Sequence, residues 1–211
     1  MKLYYFDIFG KADAIRMTLD AAKVPFEDVR INHEQLATMK EAGKLEFGQV
    51  PALEVGGHMY TQSMSIVRML GKQYGFYTDD AVTGWEIDSA IDACQDIQNA
   101  YYKFSFESDA ERKKAGQEAF LKTQFPAWTA VMDKRIASNT SPHYIVGNKI
   151  TIADFVVGSW VYGAALNEAG PLHSEMKENI NQHAHLKEYL THLGENDLKE
   201  FLDHRPKPRT F

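Results

Sequence analysis

The hydrophobic pattern of this 211-residue chain changes once along its length, and that change restricts the folds it can adopt. Short strand patterns alternate with helical ones up to about residue 75, and the later segments have helical periodicity. Strands interleaved with helices form an α/β layer, whereas a run of helices packs around its own core. We therefore predict an α/β domain over residues 1–76 and an all-helical domain over 85–211. The linker between them, 77–84, reads "YTDDAVTG" and has no periodicity.

The α/β domain is predicted to begin with a βαβ unit. Residues 2–6 are largely aromatic, which is typical of a short strand, and a helical face follows from Ala12. The segment "FEDVRI" predicts the second strand of the unit. Gly56-Gly57 is a two-residue turn signal between two further strands, and a helix is predicted to start near Ser63. The strand order therefore mixes a parallel unit with an antiparallel hairpin.

The second domain is predicted to contain two long amphipathic helices, over 85–106 and 109–137. The segment "ADFVVGSWVYGAAL" is apolar on nearly all sides, and a helix of that length is typical of the buried centre of a helical domain. Two shorter helices are predicted near 183–193 and 195–203.

The central helix is predicted to begin with a capping box, in which Thr151 is the N-cap residue and Asp154 the N3 residue. Ile150 and Phe155 flank this pair as a hydrophobic staple. We interpret the motif as structural, because it starts the buried helix. Replacing Asp154 is therefore predicted to damage folding before it affects activity.

The composition argues against several classes of function. A net charge of −6 and a sequence pI near 5.7 disfavour nucleic acid as a partner. No stretch reaches the roughly 20 apolar residues that a membrane span needs. The single cysteine, Cys94, cannot form an internal disulfide, and no Cys cluster has metal-ligand spacing. We expect a cytoplasmic protein that requires no metal.

Two short motifs have both a structural and a functional interpretation. Pro51 either starts a strand or forms a cis-proline turn that leaves the backbone of Val50 facing a ligand. Gln62 and Ser63 lie where a strand ends and a helix begins. Ser63 is a good N-cap there, and the helix N-terminus is also a natural carboxylate site. For both motifs the pattern alone favours the structural interpretation.

Five segments in a fixed order carry a resemblance to a known family. They are "YFDIFGKADAIRMTL", "FGQVPALEV", "QSMSIVRML", "VGNKITIADF" and the ending "LKEFLDHRPKPRTF". Together they resemble the cytosolic glutathione transferases, in particular the sigma-like, helminth and prostaglandin D synthase-type members. The resemblance implies a thioredoxin-like N-terminal domain, an all-α C-terminal domain, glutathione as co-substrate and a homodimer.

The resemblance also implies the residues of a glutathione site. Tyr5 stands at the position of the family's catalytic tyrosine. Because side chains alternate along a strand, Tyr4 is predicted to pack on the opposite face. The positions implied for glutathione binding are Tyr5, Lys11, Leu36, Lys40, Gln49, Val50, Pro51, Gln62, Ser63 and Asp96.

Two pairs of these positions are implied to bind different parts of glutathione. Gln49 and the backbone of Val50 match the positions that bind the cysteinyl part, with Pro51 as the family's cis-proline. Gln62 and Ser63 match the pair that holds the γ-glutamyl carboxylate.

The remaining positions include departures from the family pattern. Asp96 matches an acidic residue that reaches the glutathione amine of the neighbouring subunit, and Lys40 aligns with a lysine at the glycyl carboxylate. Leu36 stands where sigma-like members usually carry a glutathione-binding tryptophan. Lys11 replaces an arginine and so loses its bidentate fork. We expect weaker glutathione affinity than in the most similar relatives.

An apolar pocket for the electrophile is expected beside Tyr5. The hypothesis is that the Tyr5 hydroxyl stabilises the glutathione thiolate, which then attacks a hydrophobic electrophile. Lys103 falls near the position of a pocket aromatic in prostaglandin-isomerising relatives, which argues against that specialisation. The residues predicted to line the pocket are Phe9, Tyr102, Phe104 and Phe106.

Other functions stay open beside conjugation. Glutathione-dependent peroxidase or prostaglandin-type isomerase activity would use the same site. A non-catalytic structural or scaffold protein of the same fold is the alternative from another class. The joint presence of Tyr5, Gln62, Ser63 and Asp96 argues against a scaffold. Thiol–disulfide chemistry is disfavoured because the first 19 residues contain no Cys or Ser.

Overall fold

The computed structural model of the protein describes residues 1–205, so the last residues of the ending motif, 206–211, lie outside the described part. The chain begins with an α/β domain. Its elements in chain order are β1 (Lys2–Tyr5), α1 (Asp13–Ala21), β2 (Glu27–Arg30), α2 (His33–Glu41), β3 (Ala52–Val55), β4 (His58–Thr61) and α3 (Ser63–Tyr74).

The four strands form one mixed sheet in the order β2-β1-β3-β4. β1 and β2 are parallel, whereas β3 is antiparallel to both β1 and β4. The predicted βαβ unit and hairpin are confirmed, and with them the thioredoxin-like fold. Gly56 and Gly57 form the β3–β4 turn with φ angles of 59° and 83°. Because that region costs an L-residue about 1–2 kcal/mol, the hairpin depends on the glycine pair.

The rest of the described chain is helical. Its helices are α4 (Ala81–Ser105), α5 (Ala110–Ala119), α6 (Phe125–Ser138), α7 (Ile152–Trp160), α8 (His173–Asn181), α9 (Ala184–Glu195) and α10 (Lys199–His204). No helix within residues 1–205 combines the length and the apolar character that crossing a membrane requires.

The first long helix starts four residues earlier than the pattern predicted. The Asp80 side chain accepts a hydrogen bond of 2.8 Å from the backbone N–H of Thr83, so it caps α4 and the helix begins at Ala81. Residues 81–84 of the predicted linker are therefore helical. The sequence reasoning overlooked this cap because it took the absence of apolar periodicity as the absence of a helix.

The segment predicted as one helix over 109–137 is interrupted. A π-helical segment, Phe120–Gln124, lies between α5 and α6, and the Phe125 N–H donates to the Phe120 carbonyl five residues back. Pro126 follows and has no N–H to continue the regular ladder. α8 was not predicted, because its apolar stripe consists of only Met176 and Ile180 among its buried residues.

α7 is the centre of the molecule, and all nine of its residues are buried. It packs against α4 and also against α1 of the α/β domain, so one helix joins both cores. The buried central helix predicted from its apolar composition is confirmed.

A hydrogen-bonded carboxylate holds the start of α7. Asp154 Oδ2 accepts hydrogen bonds from the backbone N–H and the hydroxyl of Thr151, at 2.7 and 3.0 Å. Its Oδ1 accepts from the backbone N–H of Ile145 at 3.0 Å, so it also ties the preceding loop to the helix. Burial raises the pKa of Asp154 to about 6, against the opposing effect of these hydrogen bonds.

Candidate active site

The two adjacent tyrosines of β1 face opposite sides of the sheet. The Tyr4 hydroxyl donates to Glu54 Oε2 on β3 at 2.7 Å, and burial together with this carboxylate raises the pKa of Tyr4 to about 12. Tyr5 is 7% exposed, and its hydroxyl oxygen accepts a hydrogen bond from the backbone N–H of Lys11 at 3.1 Å. The period of the strand thus separates a packing tyrosine from one that borders a cavity.

The Tyr5 hydroxyl keeps its proton at neutral pH. Burial raises the pKa of Tyr5, and the Lys11 N–H and the Arg16 guanidinium, 5.9 Å from the ring centre, only oppose that shift. Among residues 1–205 the Tyr5 hydroxyl donates to no acceptor, so its proton can be donated to a ligand.

A glycine lets the first loop approach this hydroxyl. Gly10 has a φ of +46°, and a Cβ at this position would lie 2.7 Å from the Tyr5 hydroxyl oxygen. Sequence reasoning missed this residue as part of the site. The available signal was a glycine between an aromatic strand and the start of a helix.

A cavity of about 650 Å³ opens beside Tyr5. The four residues predicted for the electrophile pocket, Phe9, Tyr102, Phe104 and Phe106, all line it. Lys103 is exposed and is not part of the lining, so the chain between Tyr102 and Phe104 turns this cation outward. The sequence reasoning missed further lining residues, notably Tyr101 of α4, Trp160 of α7 and Leu172, which directly precedes α8.

A charged network holds one wall of the cavity. The Arg205 guanidinium lies 3.9 Å from the centre of the Phe9 ring and donates to Asp13 Oδ2 at 2.8 Å. Arg16 approaches the same carboxylate and donates to the Phe9 carbonyl at 3.1 Å. Phe9 is therefore held through both its ring and its backbone. Because Arg205 is far from Phe9 in the sequence, no local sequence pattern indicates their contact.

The strand register gathers several predicted residues at one end of the sheet. Tyr4 pairs with Ala52, and Ala52 pairs with Thr61. The next residues along these strands, Tyr5, Pro51 and Gln62, therefore follow one another across the same edge. The Val50–Pro51 peptide bond is cis, which is the geometry that the cis-proline interpretation expected.

The start of α3 differs in detail from the prediction. Gln62, not Ser63, is the N-cap residue, and its side chain makes no capping hydrogen bond. Gln62 has a φ of 68°, which is uncommon for a residue other than glycine, and its side chain is exposed at the helix N-terminus. Ser63 is the first helical residue and is buried. A residue with a strained backbone and an exposed side-chain amide is typical of a ligand-binding position when it lies at the N-terminus of a helix, where the helix dipole is positive.

The other predicted residues lie farther from the cavity. Leu36 is half-buried and Lys40 exposed, both on α2. The Lys40 side chain runs beside the loop before Gln49, since a Cβ on Gly48 would lie 3.7 Å from Lys40 Cε. Asp96 is exposed on α4 and does not line the cavity. Among residues 1–205, no group of three or more His, Cys, Asp or Glu side chains is arranged to hold a metal ion.

This arrangement can hold an anionic, peptide-like ligand beside a hydroxyl donor. The N-terminus of α3 is a favourable place for a carboxylate, and it lies at the same sheet edge as Tyr5 and Pro51. Tyr5 then stands between this sheet edge and the apolar cavity. One ligand at the sheet edge and a second in the cavity would meet at the tyrosine hydroxyl.

Comparison with known proteins identifies the family of both domains. Residues 1–72 match the family model of the glutathione S-transferase N-terminal domain, and residues 95–203 match that of the C-terminal domain. The chain is 32% identical to glutathione S-transferase 3 of Caenorhabditis elegans, over 99% of this chain and 98% of the relative.

Solved structures give the same result. A prostaglandin synthase D of Nilaparvata lugens has a TM-score of 0.82 and 29% identity over 98% of both chains. A sigma class enzyme of Fasciola hepatica has a TM-score of 0.80 and 26% identity, over 98% of this chain and 96% of that one. A monomeric glutathione S-transferase of Necator americanus has a TM-score of 0.82 and 26% identity, over 99% and 98%. The chain thus belongs to the glutathione S-transferase family, with sigma-class enzymes among its structural neighbours.

Proposed function

We propose that the protein transfers the glutathione thiolate to hydrophobic electrophiles, and that the Tyr5 hydroxyl stabilises that thiolate. The observation that carries this proposal is the Tyr5 hydroxyl, which accepts from the Lys11 N–H and borders the apolar cavity. A free thiol has a pKa near 8.5, so it is only a few per cent ionised at pH 7. A hydrogen bond to a charged acceptor contributes about 1.5–3 kcal/mol, which lowers a pKa by about one to two units.

Glutathione is proposed to bind along the sheet edge. The exposed Gln62 side chain and the start of α3 at Ser63 would hold the γ-glutamyl carboxylate, and the backbone of Val50 beside the cis-proline would hold the cysteinyl part. Gln49 would join Val50 at the cysteinyl part, and Lys40, on α2 beside the loop before Gln49, would hold the glycyl carboxylate. Leu36 offers no hydrogen-bond donor there, which supports weaker binding than a tryptophan would give.

A homodimer is proposed to complete this site. Trp85 and Asp96 lie eleven residues, about three turns, apart on α4, so they share one face. Trp85 is 67% exposed, and Val131, on the neighbouring α6, is 64% exposed. A partner that covers these apolar side chains would also bring its glutathione within reach of Asp96. The Necator americanus neighbour is described as monomeric, so the oligomeric state has to be measured.

A conjugation assay with glutathione and a generic aryl halide tests the proposed chemistry. We expect Tyr5→Phe to lower kcat/KM at pH 7 by about 8- to 25-fold, because returning the thiol pKa from about 7.5–6.5 to about 8.5 reduces the thiolate fraction by that factor. Tyr4→Phe is the matched control, because it removes the same atom from the opposite face, and it should retain most of the activity. Equal rates for wild type and Tyr5→Phe would refute the role of Tyr5.

The same experiment separates the alternatives. A non-catalytic scaffold would show no turnover and no retention on a glutathione affinity column. Peroxidase activity would appear with an organic hydroperoxide in place of the aryl halide. The similarity to a prostaglandin synthase D supports isomerase activity as a second candidate. Lys103 argues against it, because it stands near the position of a pocket aromatic in isomerising relatives and lies outside the cavity lining. A cytoplasmic location is proposed from the family alone.

A further inference from the structure

Arg205, which directly follows α10, reaches back to the first loop, residues 6–12, between β1 and α1. Its Nη1 donates to Asp13 Oδ2 and its Nη2 donates to the Tyr162 carbonyl, both at 2.8 Å. Its guanidinium lies over the Phe9 ring, 3.9 Å from the ring centre. One side chain therefore contacts three segments of the chain, and two of them adjoin the turn next to the tyrosine hydroxyl.

Asp13 closes the turn that presents a donor to Tyr5. Its backbone N–H donates to the Gly10 carbonyl and completes a short 3-10 turn that contains Lys11. The backbone N–H of Lys11 donates to the Tyr5 hydroxyl at 3.1 Å. The position of this donor therefore depends on Asp13, whose side chain is 1% exposed and is held by Arg205.

Phe9 holds the other end of the same turn. It directly precedes the turn, and its ring lies under the Arg205 guanidinium. Phe9 also packs against the π-helical segment Val161–Ala165, since a Cβ on Gly163 would lie 3.5 Å from Phe9 Cβ. The Tyr162 carbonyl, which accepts from Arg205, belongs to this segment. Arg205 thus binds both Phe9 and the segment against which Phe9 packs.

The neighbouring Arg16 does not duplicate this contact. Its Nη1 approaches the other carboxylate oxygen, Asp13 Oδ1, at 3.4 Å, and its Nε donates to Asp28 at 3.0 Å. Among residues 1–205, Arg205 is the one donor to Asp13 Oδ2. Without Arg205, a buried carboxylate oxygen would lose its hydrogen-bond partner, which favours a shift of the turn toward solvent.

We propose that Arg205 is a positioning residue for conjugation: it holds the first loop so that the Lys11 N–H reaches the Tyr5 hydroxyl, and so sets how strongly that hydroxyl stabilises the glutathione thiolate. A hydroxyl whose oxygen accepts a hydrogen bond is the stronger donor, because linked hydrogen bonds polarise one another. In agreement, the Lys11 N–H opposes the rise that burial causes in the pKa of Tyr5. The inference rests on the proposed function, since it concerns the same thiolate.

The pKa of the thiol in the enzyme–glutathione complex tests the inference in Arg205→Gln. We expect this pKa to rise by about 0.5–1 unit, the equivalent of one neutral hydrogen bond. At saturating glutathione, kcat/KM for an aryl halide should fall about two- to eightfold at pH 7 and less than about twofold at pH 9, where the thiol is ionised in both proteins. An equal loss at both pH values would overturn the inference, because a purely structural defect has that effect.

The Tyr5→Phe background separates positioning from a direct effect of charge. Removing a cation can itself raise the thiol pKa, whether or not the tyrosine hydroxyl is present. If Arg205 acts through that hydroxyl, Arg205→Gln should leave the thiol pKa of Tyr5→Phe unchanged within about 0.3 unit. The same rise in both backgrounds would show a direct charge effect and overturn the positioning role.

Glu200→Gln is the matched control. Glu200 of α10 pairs with Lys23 at 2.8 Å, so this variant also breaks an ion pair between α10 and the α/β domain, but beyond the far end of α1. It should leave the thiol pKa unchanged, and a rise equal to that of Arg205→Gln would contradict a specific role for Arg205.

Arg205→Lys is the second variant, and it serves if Arg205→Gln does not fold. It keeps the charge but loses the planar fork that reaches Asp13 and the Tyr162 carbonyl together. The thiol pKa should again rise, and again only when Tyr5 is present. An unchanged thiol pKa in a folded Arg205 variant would overturn the inference.

Failure of this inference and failure of the proposed function give different results. A thiol pKa that is equal in wild type and Tyr5→Phe would refute the role of Tyr5, and this inference with it. A lower thiol pKa in wild type than in Tyr5→Phe, together with no effect of Arg205→Gln, would overturn only the role of Arg205.

Discussion

At the residue scale, the site depends on which of two adjacent tyrosines faces the cavity. The alternation of a strand predicted that separation from the sequence, because side-chain direction is set by the backbone period. The close approach of Gly10 to the Tyr5 hydroxyl was not predictable, since it depends on how the loop folds back over the strand. The positive φ of Gln62 was not predictable either, because the sequence pattern does not indicate it.

We predict that Gly10→Ala impairs the site without unfolding the protein. The φ of +46° costs an alanine about 1–2 kcal/mol, and its Cβ would push against the Tyr5 hydroxyl at 2.7 Å. The expected result is a loss of about tenfold or more in kcat/KM, with an unchanged circular dichroism spectrum. Gly75→Ala, at another positive φ but in open space, is the control for backbone strain alone. A similar loss of activity in both variants would contradict the role of the close approach.

At the element scale, the predictions held where one local signal was sufficient. The capping box and the apolar run of α7 identify its start and its burial without any tertiary information. The start of α4 and the π-helical segment Phe120–Gln124 were missed. The first depends on the Asp80 cap in a segment without apolar periodicity, and the second depends on how the ladder accommodates Pro126.

We predict that Asp154→Ala destabilises the whole fold. The substitution leaves the buried backbone N–H groups of Ile145 and Thr151 without their acceptor, at a cost of about 2–4 kcal/mol in the free energy of unfolding. Denaturant unfolding measures this loss. Thr151→Ser, which keeps a capping hydroxyl, should cost about 1 kcal/mol or less. Normal stability of Asp154→Ala together with lost activity would contradict the structural role.

At the scale of the whole molecule, function depends on contacts between distant segments. The sheet register places Tyr5, Pro51 and Gln62 at one edge, and the resemblance to the family anticipated that grouping. The pairing of Asp13 with Arg205, 192 residues later, was not predictable, because nothing local marks either residue as a partner. Asp96 lies outside the cavity, so its proposed role in glutathione binding depends on contact with a second subunit.

We predict that the protein is a homodimer and that Trp85→Glu converts it to a monomer. A buried charge on this exposed apolar face would oppose association, and KM for glutathione should rise as Asp96 of the partner is lost. Light scattering after gel filtration measures the mass. Thr191→Glu, exposed on α9, is the control and should stay dimeric. A monomeric wild type would contradict the proposed assembly and the role of Asp96.

The pKa of the bound glutathione thiol tests the central claim most directly. It is measured by titrating the ultraviolet absorbance of the thiolate in the enzyme–glutathione complex against pH. Because burial raises the pKa of Tyr5, its own ionisation stays above the titration range. We expect a thiol pKa about one to two units below the free value of about 8.5 in the wild type, and a return toward that value in Tyr5→Phe. The same thiol pKa in both proteins would contradict stabilisation of the thiolate by the Tyr5 hydroxyl.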